Sequence, residues 1–570
     1  MAEESDRGWD VPALLSELLA GELSGVPGWL EASWQEPLSF FRALHAHVMD
    51  SRPKPLKGRP AEGQDLYHDL VLRHLWERRE AFVSFSVEAG WRRLSYDDLH
   101  ARVTSLAAAW EEAGVQAGQT VALVLPLGEE LVVTLLTALR LGLVFSLLLP
   151  RGAAFVKHRL GTLAPDHVVS RSHYAPLLGE WAPRQLPLPG SRGPAPEATL
   201  RSHTYAPEDV VARLFCPLSL TPEQPVELTA DTLFRGLLRD TVLVLSLRAD
   251  DRVAFPGFEP LQHQPHLLLA TLLAGACFLE VDERALVDPE AAPLLAPTVL
   301  GISPEFRERI LQGQVRVDSC RLWLRNAAEP LDWDRWDALA THFVERRCPG
   351  MNLVLNAAFG GSLLFSPPRM RPDFFAVLPA PGQPWQLAEL LGSGQPSHED
   401  NGLYCPLGEE ALQEACGAFL LTRSRNSYLL AGSSRLGLHG QTYPVLEVVE
   451  VIEAHPAVRG ASVVLSAAAR PLQPTRVSLI VFVDPSRAPS QLAAELRPEL
   501  EQRLDLEMGT RYRPHAMYFY PLTPRRTEAG GVDHDWCRWQ FVSGTLDRKS
   551  QDELFRLLAH VRQLLDQSKA

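Results

Sequence analysis

Thr120-Val-Ala-Leu-Val-Leu125, an apolar run opening at Glu129, and then Val144-Phe-Ser-Leu-Leu-Leu149 form the stretch on which the fold turns. The first and last pieces are continuous apolar runs of strand length, the pattern of a strand covered on both faces. Val132 to Leu149 imitates a membrane span, because only Arg140 and a few small residues interrupt it. A span needs about 20 apolar residues. Gly142 splits this run into a helix-like half and a strand-like half, and Pro150 ends it, so a buried strand–helix–strand unit is predicted instead. The alternation recurs at Arg252-Val-Ala-Phe255, a helix near His266 to Leu273, and Ala276-Cys-Phe-Leu-Glu-Val281. Such alternation predicts an α/β architecture.

Outward from that core, 570 residues are too many for one hydrophobic core, so several domains are expected. Residues 1–60 read as a helical N-terminal extension and linker, with Leu14, Leu15, Leu18 and Leu19 on one face and Ser51 to Pro60 rich in proline and charge. Residues 61–432 read as a large domain of sheets layered with helices, with proline-rich surface connections at 182–208 and 366–397. Residues 433–545 read as a small α+β C-terminal domain: a helix over Glu447 to Glu453, a turn at His455-Pro-Ala-Val458, strands at Ala461 to Leu465 and Val477 to Val483, and a helix from Ser490 to about Leu504. Residues 546–570 read as an amphipathic helix, with Leu554, Leu557, Leu558, Val561, Leu564 and Leu565 at helical spacing. The composition, 46% apolar and 22% charged, is that of a soluble globular chain. A formal charge of −14 argues against a nucleic-acid partner, since phosphate neutralisation needs a basic face. The seven cysteines form no CxxC pair, which suits reduced thiols. The opening Met1-Ala-Glu-Glu-Ser-Asp-Arg is acidic and lacks an apolar leader, so a cytoplasmic location without a membrane span is expected.

The order of several motifs resembles the adenylate-forming (AMP-binding) superfamily of acyl-CoA synthetases, adenylation domains and fatty acyl-AMP ligases. They are Leu94-Ser-Tyr-Asp-Asp-Leu99, Gly114-Val-Gln-Ala-Gly118, the 120–149 block, Gly301-Ile-Ser-Pro304, Asn326-Ala-Ala-Glu-Pro330, Gly440-Gln-Thr-Tyr-Pro444 with Glu447 and Glu450, and His455-Pro-Ala-Val458. The resemblance covers roughly residues 65 to 540. It implies a large N-terminal domain, a small C-terminal domain, and a reaction joining a carboxylate to ATP with magnesium.

The residues which that reaction needs are missing. Val226-Glu-Leu-Thr229 aligns Phe215-Cys-Pro-Leu-Ser-Leu-Thr-Pro-Glu-Gln-Pro225 with the family's glycine-rich phosphate loop. Leu218 and Thr221 replace glycines, Gln224 replaces the lysine, and Pro217, Pro222 and Pro225 remove N–H donors. In Phe359-Gly-Gly-Ser-Leu363, Phe359 and Gly360 keep the adenine-stacking pattern beside Ser362, but Leu363 replaces the magnesium-binding glutamate and offers no oxygen. With Glu329, these are the vestigial nucleotide-pocket positions. Cys416-Gly-Ala418 replaces the ribose-binding Thr-Gly-Asp, and Gly432-Ser-Ser-Arg435 replaces the hinge Gly-Arg-x-x-Asp. Pro524-Arg-Arg-Thr-Glu-Ala-Gly530 lacks the C-terminal catalytic lysine, leaving Arg525 and Arg526 as solvated surface charges.

Other chemistry is thin. His263 and His266, three residues apart, suit a shared helix face but have no third metal ligand nearby, and Asp533, His534, Asp535 and Cys537 read as a solvated loop. No catalytic residue, metal or cofactor is therefore expected, and the chain reads as a degenerate, non-catalytic binding or scaffolding pseudoenzyme. The alternative is a divergent ATP-dependent acid ligase using ATP and Mg. Expected partners are a protein bound through the terminal helices and an acyl or aromatic small molecule.

Overall fold

Strand, helix and strand do succeed one another over 120–149: Thr120–Val124, Glu129–Leu141 and Val144–Leu148. The structure is a computed structural model and describes residues 8–20, 26–50, 64–86, 90–150, 153–190, 201–215, 224–258, 260–282, 284–315, 318–328, 331–388, 401–406, 419–424, 427–433, 445–466, 476–484, 489–507, 513–526, 532–552 and 561. The helix ends on Gly142, whose φ of +76° is the left-handed conformation that favours glycine and reverses the chain into the next strand. Leu131 to Arg140 of that helix are all buried, which explains its span-like hydropathy. No described helix is long and apolar enough to cross a membrane.

The chain divides into two compact units: Met1–Leu149, Thr162–Ala175 and Glu180–Ser434 make one, and Pro150–Gly161, Pro176–Gly179 and Arg435–Ala570 the other. In the first unit, His167–Ser170, Thr120–Val124, Val144–Leu148 and Val210–Phe215 lie parallel in that order, with Pro225–Thr229 antiparallel at the edge. A second sheet has a parallel centre in the order Gly350–Asn356, Leu322–Asn326, Val299–Ile302, Arg252–Ala254, Cys277–Val281 and Glu80–Ser86. Its flanks are antiparallel, starting with Gly361–Phe365 on one side and Gly90–Ser95 on the other. Ser95 and Asp98 form a reciprocal capping box that starts the helix Tyr96–Glu112.

The helices Val11–Ala20, Gly28–Gln35 and Pro37–Asp50 bury their apolar faces in this same unit. Val11, Leu14, Leu18, Leu30, Phe40, Phe41, Leu44 and Val48 join its main core, and the Trp34 indole donates to the Ala380 carbonyl at 3.0 Å.

In the second unit, Val458–Ser466 pairs antiparallel with Arg476–Val483, which pairs parallel with Ala516–Tyr520. Val464, Ile480, Phe482, Tyr520, Leu522, Val532, Cys537 and Leu546 form its core. The 533–537 stretch is not a loop: Asp533 caps the helix His534–Val542 by accepting from the Trp536 amide, and Cys537 is buried. An N-cap aspartate with aromatic residues after it carried that signal. Of the C-terminal leucine stripe, only Val561 lies within the described residues, where it is helical and exposed.

Candidate functional site

The strand Gly350–Asn356 ends on a buried asparagine whose Oδ1 accepts from the Ala358 amide at 3.0 Å, opening a single turn, Ala357–Phe359. Gly360 (φ +71°) and Gly361 (φ +114°) then turn the chain back into Gly361–Phe365. Gly360 is favoured by its left-handed φ, and Gly361 by both its φ and close approach. A Cβ on Gly361 would sit 2.4 Å from the Asp240 carboxylate and 2.4 Å from His266 Nε2. Across the contact, a Cβ on Gly236 would fall 1.7 Å from the Gly360 carbonyl oxygen. Backbone is pressed on backbone here.

Gly236 belongs to the helix Ala230–Arg239, which Thr229 caps by accepting from the Thr232 amide. The helix runs into a π-helical turn, Asp240–Val244, in which the Leu245 amide reaches the Asp240 carbonyl at 2.9 Å. The neighbouring helix Gln264–Ala274 supplies His266. Asp240 is fully buried and accepts from Arg239 Nε at 2.7 Å, His266 Nε2 at 2.7 Å and the Ser362 amide at 2.8 Å. Burial by itself would raise its carboxyl, but the Arg239 guanidinium and the His266 ring hold it well below the usual carboxylate range. Arg239 also donates to the Gly360 carbonyl at 3.3 Å, the Ala357 amide to the Gln262 carbonyl at 2.7 Å, and the Gly360 amide to the Ala357 carbonyl at 3.2 Å. The loop amides at 357, 358, 360 and 362 are thus all used internally, and the charges that touch the loop are the Asp240 carboxylate and the Arg239 guanidinium paired with it.

Aromatic rings pack at the sheet's topological switch. The strand order places a topological switch between Arg252–Ala254 and Val299–Ile302, where open α/β sheets bind ligands beyond the strand ends. Phe255 and Phe258, both buried, cover it: a Cβ on Gly301 would lie 2.3 Å from the first ring and 3.1 Å from the second.

Of the residues picked from sequence, Phe359, Gly360 and Ser362 come together in the glycine loop, and all are buried. The Phe359 ring and Leu363 belong to the main hydrophobic core. The Ser362 Oγ is buried without a partner, while its amide serves Asp240. Gln224 is exposed beside the hairpin closed by Phe215 and Pro225, whereas Leu218, Thr221, Glu329, 416–418, Arg435 and 440–444 lie outside the described residues. Gly432 lies within the strand Tyr428–Ser433. Arg525 and Arg526 are exposed; the first pairs with Asp533 at 3.3 Å and the second donates to the Arg459 carbonyl at 3.0 Å. His263 stands edge-on to Phe258 at 5.4 Å while His266 serves Asp240, so the two do not share a ligand, and no metal-binding group of His, Cys, Asp or Glu occurs among the described residues. Sequence reasoning missed Arg239 and Asp240. Their signal was a charged dipeptide inside the apolar run Leu233 to Leu245, since such charges are buried only when paired.

Residues 74–185 match the family of AMP-binding enzymes. None of the curated proteins matches the chain in sequence. Among solved structures, it is similar to an acetoacetyl-CoA synthetase from Streptomyces lividans (TM-score 0.61, 15% identity, 98% of each chain covered). It is also similar to NpsA-ThdA, an artificially fused adenylation–PCP di-domain from Klebsiella oxytoca (TM-score 0.60, 13% identity, 80% of this chain and 94% of that one). A third is a fatty acyl-adenylate ligase from L. pneumophila, solved with acyl adenylate and pyrophosphate (TM-score 0.57, 12% identity, 84% and 96%).

Proposed function

We propose that this chain, which has the fold of the adenylate-forming ligases, works as a non-catalytic binding or scaffolding protein associated with acyl or secondary metabolism. The observation that supports this most is the glycine loop itself. Its amides at 357, 358, 360 and 362 are satisfied from within, the charges against it are the mutually paired Asp240 and Arg239, and Leu363 offers a hydrocarbon where the resemblance implies a magnesium ligand. Magnesium does not fit these residues, because Leu363 supplies no oxygen, and the paired amides at 357, 358, 360 and 362 leave a nucleotide little to bond to. Packing and catalysis depend on different residues, so the architecture survives the loss. The ligand classes that remain compatible are an acyl or aromatic small molecule and a protein partner such as an active ligase or an acyl-carrier protein.

Isothermal titration of the full chain with ATP and Mg²⁺ tests the reading. No heat of binding is expected at micromolar concentrations; a micromolar Kd overturns it.

A divergent ATP-dependent acid ligase is the second reading, favoured by the family match over 74–185 and by three structural neighbours named for acid-activating enzymes or domains. It requires carboxylate-dependent exchange of pyrophosphate into ATP. Silence across a broad panel of acids removes it.

A further inference from the structure

We propose that Cys320 and Cys348 form a reversible disulfide under peroxide, clamping two neighbouring strands of the large sheet. The two sulfurs lie 3.4 Å apart. Cys320 lies just before Leu322–Asn326 and Cys348 just before Gly350–Asn356, parallel neighbours in which Trp323 pairs with Gly350. With Trp323 opposite Gly350, Cys320 and Cys348 stand one residue out of register at the starts of adjacent strands, and their sulfurs close from 3.4 Å to the disulfide length of about 2.05 Å by a small local shift. Trp323, Trp336 and Phe343 enclose the pair in one apolar cluster. Cys348 is sealed at 1% exposure, whereas Cys320 keeps 8%, which makes Cys320 the sulfur that a small oxidant reaches.

The step balances with hydrogen peroxide as oxidant. The Cys320 thiolate attacks one peroxide oxygen and expels hydroxide, becoming a sulfenic acid. The Cys348 thiolate then attacks that sulfur and expels a second hydroxide, closing the S–S bond. The two protons released by the thiols turn both hydroxides into water, so two thiols lose two electrons and the peroxide gains them. Burial pushes the Cys320 thiol well above its ordinary range, so the reaction is slow and quickens as pH rises.

The test uses the full-length protein, oxidised with hydrogen peroxide while folded, alkylated, and digested with trypsin without reduction. The expected product joins the peptide ending at Arg321 to the peptide Cys348 to Arg369, disappears on reduction, and accompanies a rise of a few degrees in Tm. Cys320→Ser and Cys348→Ser each abolish both changes. If either variant fails to fold, the wild-type peptide map decides alone. Complete alkylation of both cysteines after peroxide treatment overturns the proposal, and so does a linked peptide that appears only when oxidation is done in denaturant.

Discussion

Replacing Asp240 by alanine removes a carboxylate that holds three segments at once: Arg239 on its own helix, His266 on the next, and the Ser362 amide of the glycine loop. Breaking a buried ion pair costs about 3–5 kcal/mol, because the remaining charge stays buried without a partner. The orphaned Ser362 amide adds about 1–3 kcal/mol, part of it already counted, since the groups share one site. A total of about 4–6 kcal/mol is expected, a large share of the roughly 5–15 kcal/mol that holds a domain folded. Asp240→Asn keeps an acceptor for His266 and the Ser362 amide but loses the charge and turns an NH2 donor toward Arg239, so it costs less, about 2–3 kcal/mol. Urea titration monitored by tryptophan fluorescence measures both, with the midpoint moving and the slope unchanged. The pH dependence has a defined sign. A carboxylate depressed in the folded state contributes fully above its unfolded value of about 3.9, and that contribution is lost as pH falls through the folded value. The gap between wild type and Asp240→Asn therefore holds from pH 7 to pH 5 and closes only at stronger acidity. A loss below about 1 kcal/mol for Asp240→Ala refutes the buried cluster and, with it, the closed loop.

Three further outcomes rest on the same physics. Gly236→Ala drives a methyl into the Gly360 carbonyl and lowers stability by about 3 kcal/mol or more, whereas Gly28→Ala, with open space around it, stays within about 1 kcal/mol of wild type; thermal melts compare them. Leu363→Glu buries an unpaired carboxylate, costs about 3 kcal/mol or more, and on the proposed function brings no ATP binding in a calorimetric titration. His100, pushed down to about 4 mainly by burial and then by Arg140, gives stability that is complete above its unfolded value of about 6.5 and falls as pH drops from there to about 4. Unfolding free energies from urea titrations across that window fall by about 1–3 kcal/mol in wild type relative to His100→Gln.

The parts of this molecule that were legible in the sequence are those where one local pattern determined the outcome. Gly142 inside an apolar run has a single cheap reading, a left-handed reversal between helix and strand, and it sits there at φ +76°. The helix and strands over 445–507 were visible for the same reason, since periodicity and turn residues agree. The Asp533 cap was misjudged because a polar cluster reads alike in a loop and at a helix start until the packing of Cys537 is known. Asp240 and His266 are 26 residues apart, and their 2.7 Å contact depends on how two helices pack, which no window of sequence contains.

That difference bears on the meaning of a surviving glycine. Gly360 and Gly361 look like remnants of a nucleotide motif, and by sequence alone they are the best-kept part of it. In the fold, each has a reason independent of any nucleotide: Gly360 takes a left-handed φ of +71° close against Thr232, and Gly361 leaves room for Asp240 and His266. A position held by internal packing resists substitution as firmly as one held by a ligand, so retention of these two glycines carries no weight for ATP binding. The Leu363 side chain, for its part, belongs to the main core and offers no oxygen to a cation. Leu363 packs in the core and Asp240 accepts from the Ser362 amide, so this loop is tied into the fold by the chain's own residues.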